Sequence, residues 1–337
     1  MIMIKNHEPM SAFEAAERAE AMFPVSMQVA SIVDISDGSQ VVPPSLSKRD
    51  DAMARFVVRG DTGKAIACHG AGYKLNPYRW GVLRAAEAFA PNSTIGVDLW
   101  PDGRKIIVNQ SLPQQEQVDD TIELASHMMW IDSYDGTWPT MGISFMFNPF
   151  CYNQMPMGTR KISVRHLSHH ADRLFAGVAE LREVLAAQQE ASQTIAVLND
   201  IEYQPQRFRY MVDRLTGDKP RTEHTRTENR WGETRNNLFE EYSKNCEHQG
   251  KASYWCALNA VQSHENHRRP IGWQAKPASI QQQKLRKWEY LAEGNWPMTK
   301  KAATVIAEDL RYTFNRKTIS GSAIPDSIDN SILSLVA

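Results

Sequence analysis

Residues 123–147, ELASHMMWIDSYDGTWPTMGISFMF, decide the fold. Two apolar runs, 123–134 and 140–147, flank Asp135-Gly136. Asp-Gly between apolar runs is a strong hairpin cue, because both central residues can adopt positive φ. The same arrangement occurs twice upstream. Runs 94–100 and 104–109 flank Pro101-Asp102-Gly103, and runs 55–58 and 64–68 flank Gly60-Asp61-Thr62-Gly63. Val25, Met27, Val29, Val33 and Ile35 alternate at the period of a half-buried strand. Residues 41–51, with Pro43-Pro44, read as a loop. Two helices interrupt these strands. Ser11 with Glu14 forms a capping box for a helix over 11–23. Asn76 as N-cap and Pro77 at the first helical position predict a second, with Leu83, Ala86 and Ala90 on one face.

After residue 165 the period changes. Leu174, Val178, Leu181 and Leu185 recur at helical spacing, predicting one long helix over 166–199. Further helices are expected at 207–215, 236–247, 253–267, 280–291 and 300–314. Strands first and helices after give an α+β fold, with a largely antiparallel sheet built from hairpins and packed against a helical half. The division expected is an N-terminal helical arm (1–24), a sheet region (25–164), a helical region packed on it (165–318) and a loose tail (319–337).

Of 337 residues, 42% are apolar and 23% charged, ordinary values for a globular protein. The net charge of −1 gives no overall basic surplus, but charge is unevenly spread. Eight acids face two bases over residues 98–135, whereas eight bases face five acids over 207–235. No apolar run approaches the roughly 20 residues a bilayer span needs, and from the four-residue apolar start, followed by Lys5, Asn6, His7 and Glu8, no secretory leader is expected. The four cysteines form no C-x-x-C pair. Reduced thiols in the cytoplasm of a bacterial host are expected, with no membrane partner.

Several short stretches, in order, resemble the phage- and plasmid-borne proteins grouped as domain of unknown function family 932. They are Val57-Val58-Arg59 running into Asp61-Thr62-Gly63, Gly72-Tyr73 with Asn76-Pro77, and Asp102-Gly103-Arg104. Ser133-Tyr134-Asp135-Gly136-Thr137, Cys151-Tyr152-Asn153, Val164-Arg165-His166, and Ala257-Leu258-Asn259-Ala260 with His267 follow. The resemblance spans residues 55–267 and implies mobile-element biology without naming a reaction. Tyr134 stands where the family's turn has histidine, which argues against an obligatory catalytic base there. A sheet followed by helices is also similar, remotely, to phage single-strand annealing proteins, by architecture alone.

No phosphate-loop, dinucleotide-binding or nucleophile-elbow motif is present. No metal and no cofactor are expected. His264 and His267 in SHENH lie three apart, one short of the zinc-helix spacing. On one helix, Cys256 and His267 would sit about 16 Å apart, too far to share an ion. Asp98, Asp102, Asp132 and Asp135 could gather at strand ends around magnesium, but Asp102 and Asp135 already have a turn role.

Four patterns remain. In the cluster Arg165, His166, His169, His170 and Arg173, a helix would put His166, His169 or His170, and Arg173 on one face at its start, a surface suited to phosphate; the alternative is local capping. Arg207-Phe208-Arg209-Tyr210 and Arg230-Trp231 interleave guanidinium forks for phosphates with rings for stacking unpaired bases. The neighbouring Asp213, Asp218, Glu223, Glu228 and Glu233 offer those arginines helix-surface pairing instead. Asn259, Ser263 and His267 form a polar stripe on an apolar helix, read as pinning that helix to sheet backbone. The expected function is therefore a single-stranded nucleic-acid binder, homo-oligomeric, in phage or plasmid recombination or replication. The alternatives are a metal-assisted enzyme using His166, His169, Asp135 and His267, and a protein that blocks a host defence complex.

Overall fold

Ser11 opens the first helix, α1 (Ala12–Arg18), its hydroxyl accepting from the Glu14 N–H at 3.1 Å. The computed structural model describes residues 8–29, 55–70, 72–118, 122–148, 153–155, 161–181, 184–220, 225–268, 296–317 and 332. Strand β1 (Val25–Val29) pairs antiparallel with β2 (Arg55–Arg59), and β2 with β3 (Ala65–His69), as a three-stranded sheet. The expected continuation of β1 to residue 35 and the 41–51 loop lie outside the described residues.

Helix α2 (Val82–Phe89) starts later than Asn76-Pro77 predicts, after a turn, with Gly81 at the N-cap. The Asn76 amide is not a cap. It reaches across the chain to His170 Nδ1 at 2.8 Å. The larger sheet contains β4 (Thr94–Leu99), β5 (Lys105–Gln117), β6 (Glu123–Ser133) and β7 (Thr140–Asn148), each antiparallel to the next. Along the other edge of β7, β8 (Asn153–Met155) pairs near its end and β9 (Lys161–Val164) at its start. All three Asp-Gly-type hairpins form as the sequence dictates. Gly136 holds φ +69°, and a Cβ there would meet the His69 ring at 3.0 Å, so the turn demands glycine twice over.

The pleat sorts the core. Ile106, Val108, Met128 and Trp130 face α1, α2 and α3 (His170–Leu181), whereas Ile107, Met129, Ile131, Ile143 and Phe145 form a second cluster with Trp100, Trp138 and Trp296. From Met128 onward β6 is buried residue after residue, because its two faces each meet apolar partners. Gln110 pins α2 to the sheet. Its Nε2 donates to the Ala86 and Ala90 carbonyls at 2.9 Å, while its Oε1 accepts from Trp130 Nε1 at 2.7 Å. The Ala90 carbonyl at the helix C-cap thereby gains a side-chain donor, as it also does from the Ser93 hydroxyl at 2.6 Å.

The range 166–199, expected as one helix, contains α3 and α4 (Val184–Asp200). Helix α3 begins at His170, because His169 holds φ 62°, outside the helical region. The remaining helices are α5 (Pro205–Thr216), α6 (Thr225–Gln249), α7 (Tyr254–Ser263), which continues as a π-turn (His264–Arg268), and α8 (Pro297–Lys317). They enclose a third core of Leu198, Phe208, Met211, Leu238, Trp255, Leu258 and Ile306, into which Leu124 and Met146 of the sheet also pack. The helix expected at 280–291 lies outside the described residues, as does the tail apart from Ile332. No described helix is long and apolar enough to cross a membrane.

Candidate functional site

Register places Asp132, the last but one residue of β6, opposite Ile106, and so on the face that carries α2 and α3. Pairing of Val164 with Thr140 brings the loop after β9 over that same end of the sheet. His166 folds inward from it, and its Nε2 lies 2.6 Å from Asp132 Oδ1. The aspartate is fully buried and its Oδ1 also accepts from the Ser133 N–H at 2.7 Å. Thr140 Oγ1 sits 2.7 Å from His170 Nε2 and 3.3 Å from His166 Nε2. The Lys74 N–H donates to the His166 carbonyl at 3.0 Å, which ties the third segment into the centre.

Above the ion pair the rings form a column. His69 stacks on Tyr73 with centroids 3.7 Å apart, Tyr73 on His166 at 5.2 Å, and His166 meets His170 at 4.7 Å. His69 Nε2 donates to the Tyr134 carbonyl at 2.5 Å. Tyr134 itself is core: its hydroxyl accepts from the Tyr78 N–H at 2.9 Å and its ring stacks on Tyr78 at 3.9 Å.

Electrostatics separate the two inner imidazoles. Burial would push His166 down, but the Asp132 charge, the Asp132 hydrogen bond and the Lys74 backbone outweigh it, and its pKa is raised. Burial and the neighbouring His166 charge push His170 the other way, below its ordinary value. The buried carboxylate thus favours the charged form of His166, while His170 beside it is shifted toward the neutral form. Burial also drives the Tyr73 phenol far above its usual range, with the charge of Asp132 adding to it, so it stays protonated.

The structure sorts the residues singled out from sequence. Arg165 and Arg173 are exposed. His166 is a correction: it is a buried ion-pair partner, not a solvent-facing helical residue, because the left-handed turn at His169 separates it from α3. His169 itself is exposed, with Nδ1 3.6 Å from Asp172. Phe208 is a second correction. It is fully buried and stacks on Tyr242 at 4.0 Å, so its ring offers no platform for a base. Arg207 donates to the Tyr254 hydroxyl at 2.9 Å and to Asp309 at 3.2 Å. Arg214 pairs with Glu308, Lys219 with Glu228, and Arg235 with Asp213 at 2.6 Å. Arg209 and Tyr210 are exposed on α5, and Arg230 is half-buried on α6. Trp231 donates its indole N–H to the Gly217 carbonyl at 3.2 Å and lies under the Arg235 guanidinium. These residues belong to a different layer from Arg165 and Arg173, since α5 packs on α6 and α8 whereas α3 packs on β9 and α2.

The polar stripe pins its helix to α6, not to sheet backbone. Asn259 Nδ2 donates to Asn245 Oδ1, and Ser263 Oγ to Glu241 Oε2, both at 2.5 Å. The His267 side chain lies outside the described residues. Among those described, no three His, Cys, Asp or Glu side chains gather closely enough to hold a metal ion.

Sequence reasoning passed over residues 74–84, KLNPYRWGVLR, reading them as a helix start. This segment is interlocked with the loop at 165–173. Besides the Lys74–His166 and Asn76–His170 contacts, the Arg84 guanidinium lies 5.4 Å from the Phe175 ring centroid. Lys74, Arg79, Trp80 and Arg84 are all exposed, and Arg79 lies 5.5 Å from the Trp80 ring. The available signal was three bases and no acid over eleven residues, with an Arg-Trp pair among them.

The stretches that carry the family resemblance meet here: Tyr73 and Asn76, the turn after Asp132, and Arg165-His166 surround one ion pair. No curated protein and no solved structure matches the chain. A family model does, that of Domain of unknown function (DUF932), over residues 94–292, more than half of the sequence and including Asp132, Thr140, His166 and His170. The chain therefore belongs to the DUF932 family.

Proposed function

We propose that the protein binds unpaired nucleic acid along the outer surface of segments 74–84 and 165–173, in recombination or replication of a mobile element. One observation carries the reading. Five exposed cations, Lys74, Arg79, Arg84, Arg165 and Arg173, share these interlocked segments with a single carboxylate, Asp172, which His169 already engages. Phosphate oxygens suit guanidinium forks, and local charge, rather than the net charge of −1, governs that attraction. Trp80 is 55% exposed beside Arg79 and supplies a flat ring for an unstacked base, a contact of about 1–3 kcal/mol. The buried His166–Asp132 pair fixes the main chain from which Arg165 projects. The α5–α6 surface suits a strand less well, because Arg207, Arg214, Lys219 and Arg235 each have a carboxylate partner there.

Fluorescence anisotropy of a labelled unpaired oligonucleotide tests the assignment. An Arg79→Ala/Arg84→Ala variant is expected to weaken binding about tenfold or more, whereas Arg209→Ala leaves it nearly unchanged. The reverse pattern would return the site to α5.

A second reading, an enzyme acting on nucleic acid, is favoured by the opposite pKa shifts of His166 and His170, the division that acid–base chemistry uses. Both rings are buried, so that reading requires residues 167–169 to open over them. Shortening of the oligonucleotide, lost in Asp132→Asn, would support it; an intact oligonucleotide after long incubation would sink it.

A further inference from the structure

Two thiols lie on the α6–α7 pair, outside the segments proposed to bind a strand. Cys246 lies near the end of α6 and Cys256 in the first turn of α7, and the two helices form a hairpin over residues 250–253. Gly250, at φ +66°, makes the reversal that brings them face to face. The Cys256 sulfur sits 3.8 Å from the Asn245 carbonyl, immediately before Cys246, and 3.5 Å from the Lys251 carbonyl. Ser253 caps α7 and places its hydroxyl 3.2 Å from the same sulfur. The Asn245 carbonyl is bonded to the Cys246 nitrogen, so the Cys256 sulfur lies against the Cys246 main chain. Both are free, with Cys256 buried and Cys246 half-buried.

We propose that Cys246 and Cys256 are a peroxide-sensitive dithiol that closes reversibly to a disulfide stapling α6 to α7. Geometry supplies the proximity and the helix start supplies the polarity, since a sulfur in the first turn of a helix is favoured as thiolate. The neighbouring Cys246 thiol, the Ser253 hydroxyl and the Lys251 charge lower the Cys256 pKa against the effect of burial. The Cys256 thiol beside it and burial raise the Cys246 pKa. Cys256 is therefore the attacking sulfur and Cys246 the resolving one. In the first step the Cys256 thiolate attacks a peroxide oxygen, the O–O bond breaks, and hydroxide leaves to be protonated as water. Cys256 is then a sulfenic acid. In the second step the Cys246 sulfur attacks the Cys256 sulfur, and the sulfenic hydroxyl departs as water with the Cys246 proton. Two thiols and one hydrogen peroxide give one disulfide and two waters.

The test treats the reduced full-length protein with hydrogen peroxide, blocks free thiols with iodoacetamide in denaturant, and maps tryptic peptides. Cleavage after Lys244 and Lys251 leaves the two cysteines on separate peptides. The expected result is a linked pair of these peptides, two hydrogens lighter than their sum and separated by reductant. A Cys246→Ser variant is expected to accumulate dimedone-reactive sulfenic acid at Cys256. Exposed Cys68 serves as the internal control for peroxide dose. Recovery of both Cys246 and Cys256 as alkylated thiols at a dose that oxidises Cys68 would overturn the proposal. Dimedone labelling of Cys246 in a Cys256→Ser variant would also overturn it, by reversing the assigned roles.

Discussion

His166 Nε2 and Asp132 Oδ1 lie 2.6 Å apart with side-chain exposures of 4% and 0%, an ion pair sealed inside the end of the large sheet. Breaking such a pair from one side leaves an uncompensated buried charge, and Asp132→Ala is expected to cost about 3–5 kcal/mol in urea unfolding. Its pH dependence has a definite sign. Because the folded pKa of His166 is raised, its contribution is fully present below the ordinary value of 6.5 and is lost as pH rises through the folded pKa. His170, whose folded pKa is lowered, contributes above 6.5 and loses that contribution as pH falls. NMR titration is expected to find His166 above 6.5 in the native chain and clearly lower in Asp132→Asn. A His166 midpoint unmoved by that substitution would contradict the pairing.

His127 sharpens the acid side. On β6, stacked against Phe145, burial drives its pKa down to about 3 despite a hydrogen bond with the Gln110 backbone. Stability is expected to fall between pH 6.5 and about 3 as the unfolded chain takes up the proton that the folded ring refuses. His127→Gln should flatten that limb. An acid unfolding profile of the same slope in both proteins would exclude His127 as a contributor.

On α5, neighbouring aromatic residues have opposite fates. Phe208→Ala empties a fully buried site and is expected to cost about 3–5 kcal/mol, whereas Tyr210→Ala, at a position 60% exposed, should stay within about 0.5 kcal/mol. Chemical denaturation of the two variants checks the assignment. Equal effects would mean that Phe208 is not core.

These contrasts mark what the sequence makes legible. Asp-Gly turns act locally, so each hairpin could be read from its own residues. The helical spacing of Phe208, Met211, Val212 and Leu215 was also on view, yet the alternation of Arg207, Phe208, Arg209 and Tyr210 obscured it as a basic–aromatic run. The His166–Asp132 contact was out of reach, because it joins residues 34 apart through the register of β7 with β9. The polar stripe demanded partners that sequence could not name. Asn245 and Glu241 supply them because α6 and α7 form a hairpin, whereas the expectation placed sheet backbone there.

The π-turn after α7 has a structural consequence. Glu265 projects from it to the start of α8, accepting from the Met298 and Thr299 N–H groups at 2.9 and 2.8 Å and from the Thr299 hydroxyl at 2.7 Å. A side-chain carboxylate thus satisfies open donors of another helix. Glu265→Ala is expected to cost about 1–3 kcal/mol, with Glu265→Gln intermediate. Loss of α8 protection in hydrogen exchange would locate the effect; unchanged protection would refute it.

The central claim is that Lys74, Arg79, Arg84, Arg165 and Arg173 form one surface for a sugar–phosphate strand. Its most direct test is the salt dependence of oligonucleotide affinity for the native chain and single alanine variants. Each phosphate contact removed should flatten the slope of log K against log salt by about 0.7, the single-strand value. The account predicts that shallower slope for Arg79→Ala, Arg84→Ala, Arg165→Ala and Arg173→Ala, and an unchanged slope for Arg209→Ala. No binding at low salt, or slopes indifferent to all four substitutions, would contradict it.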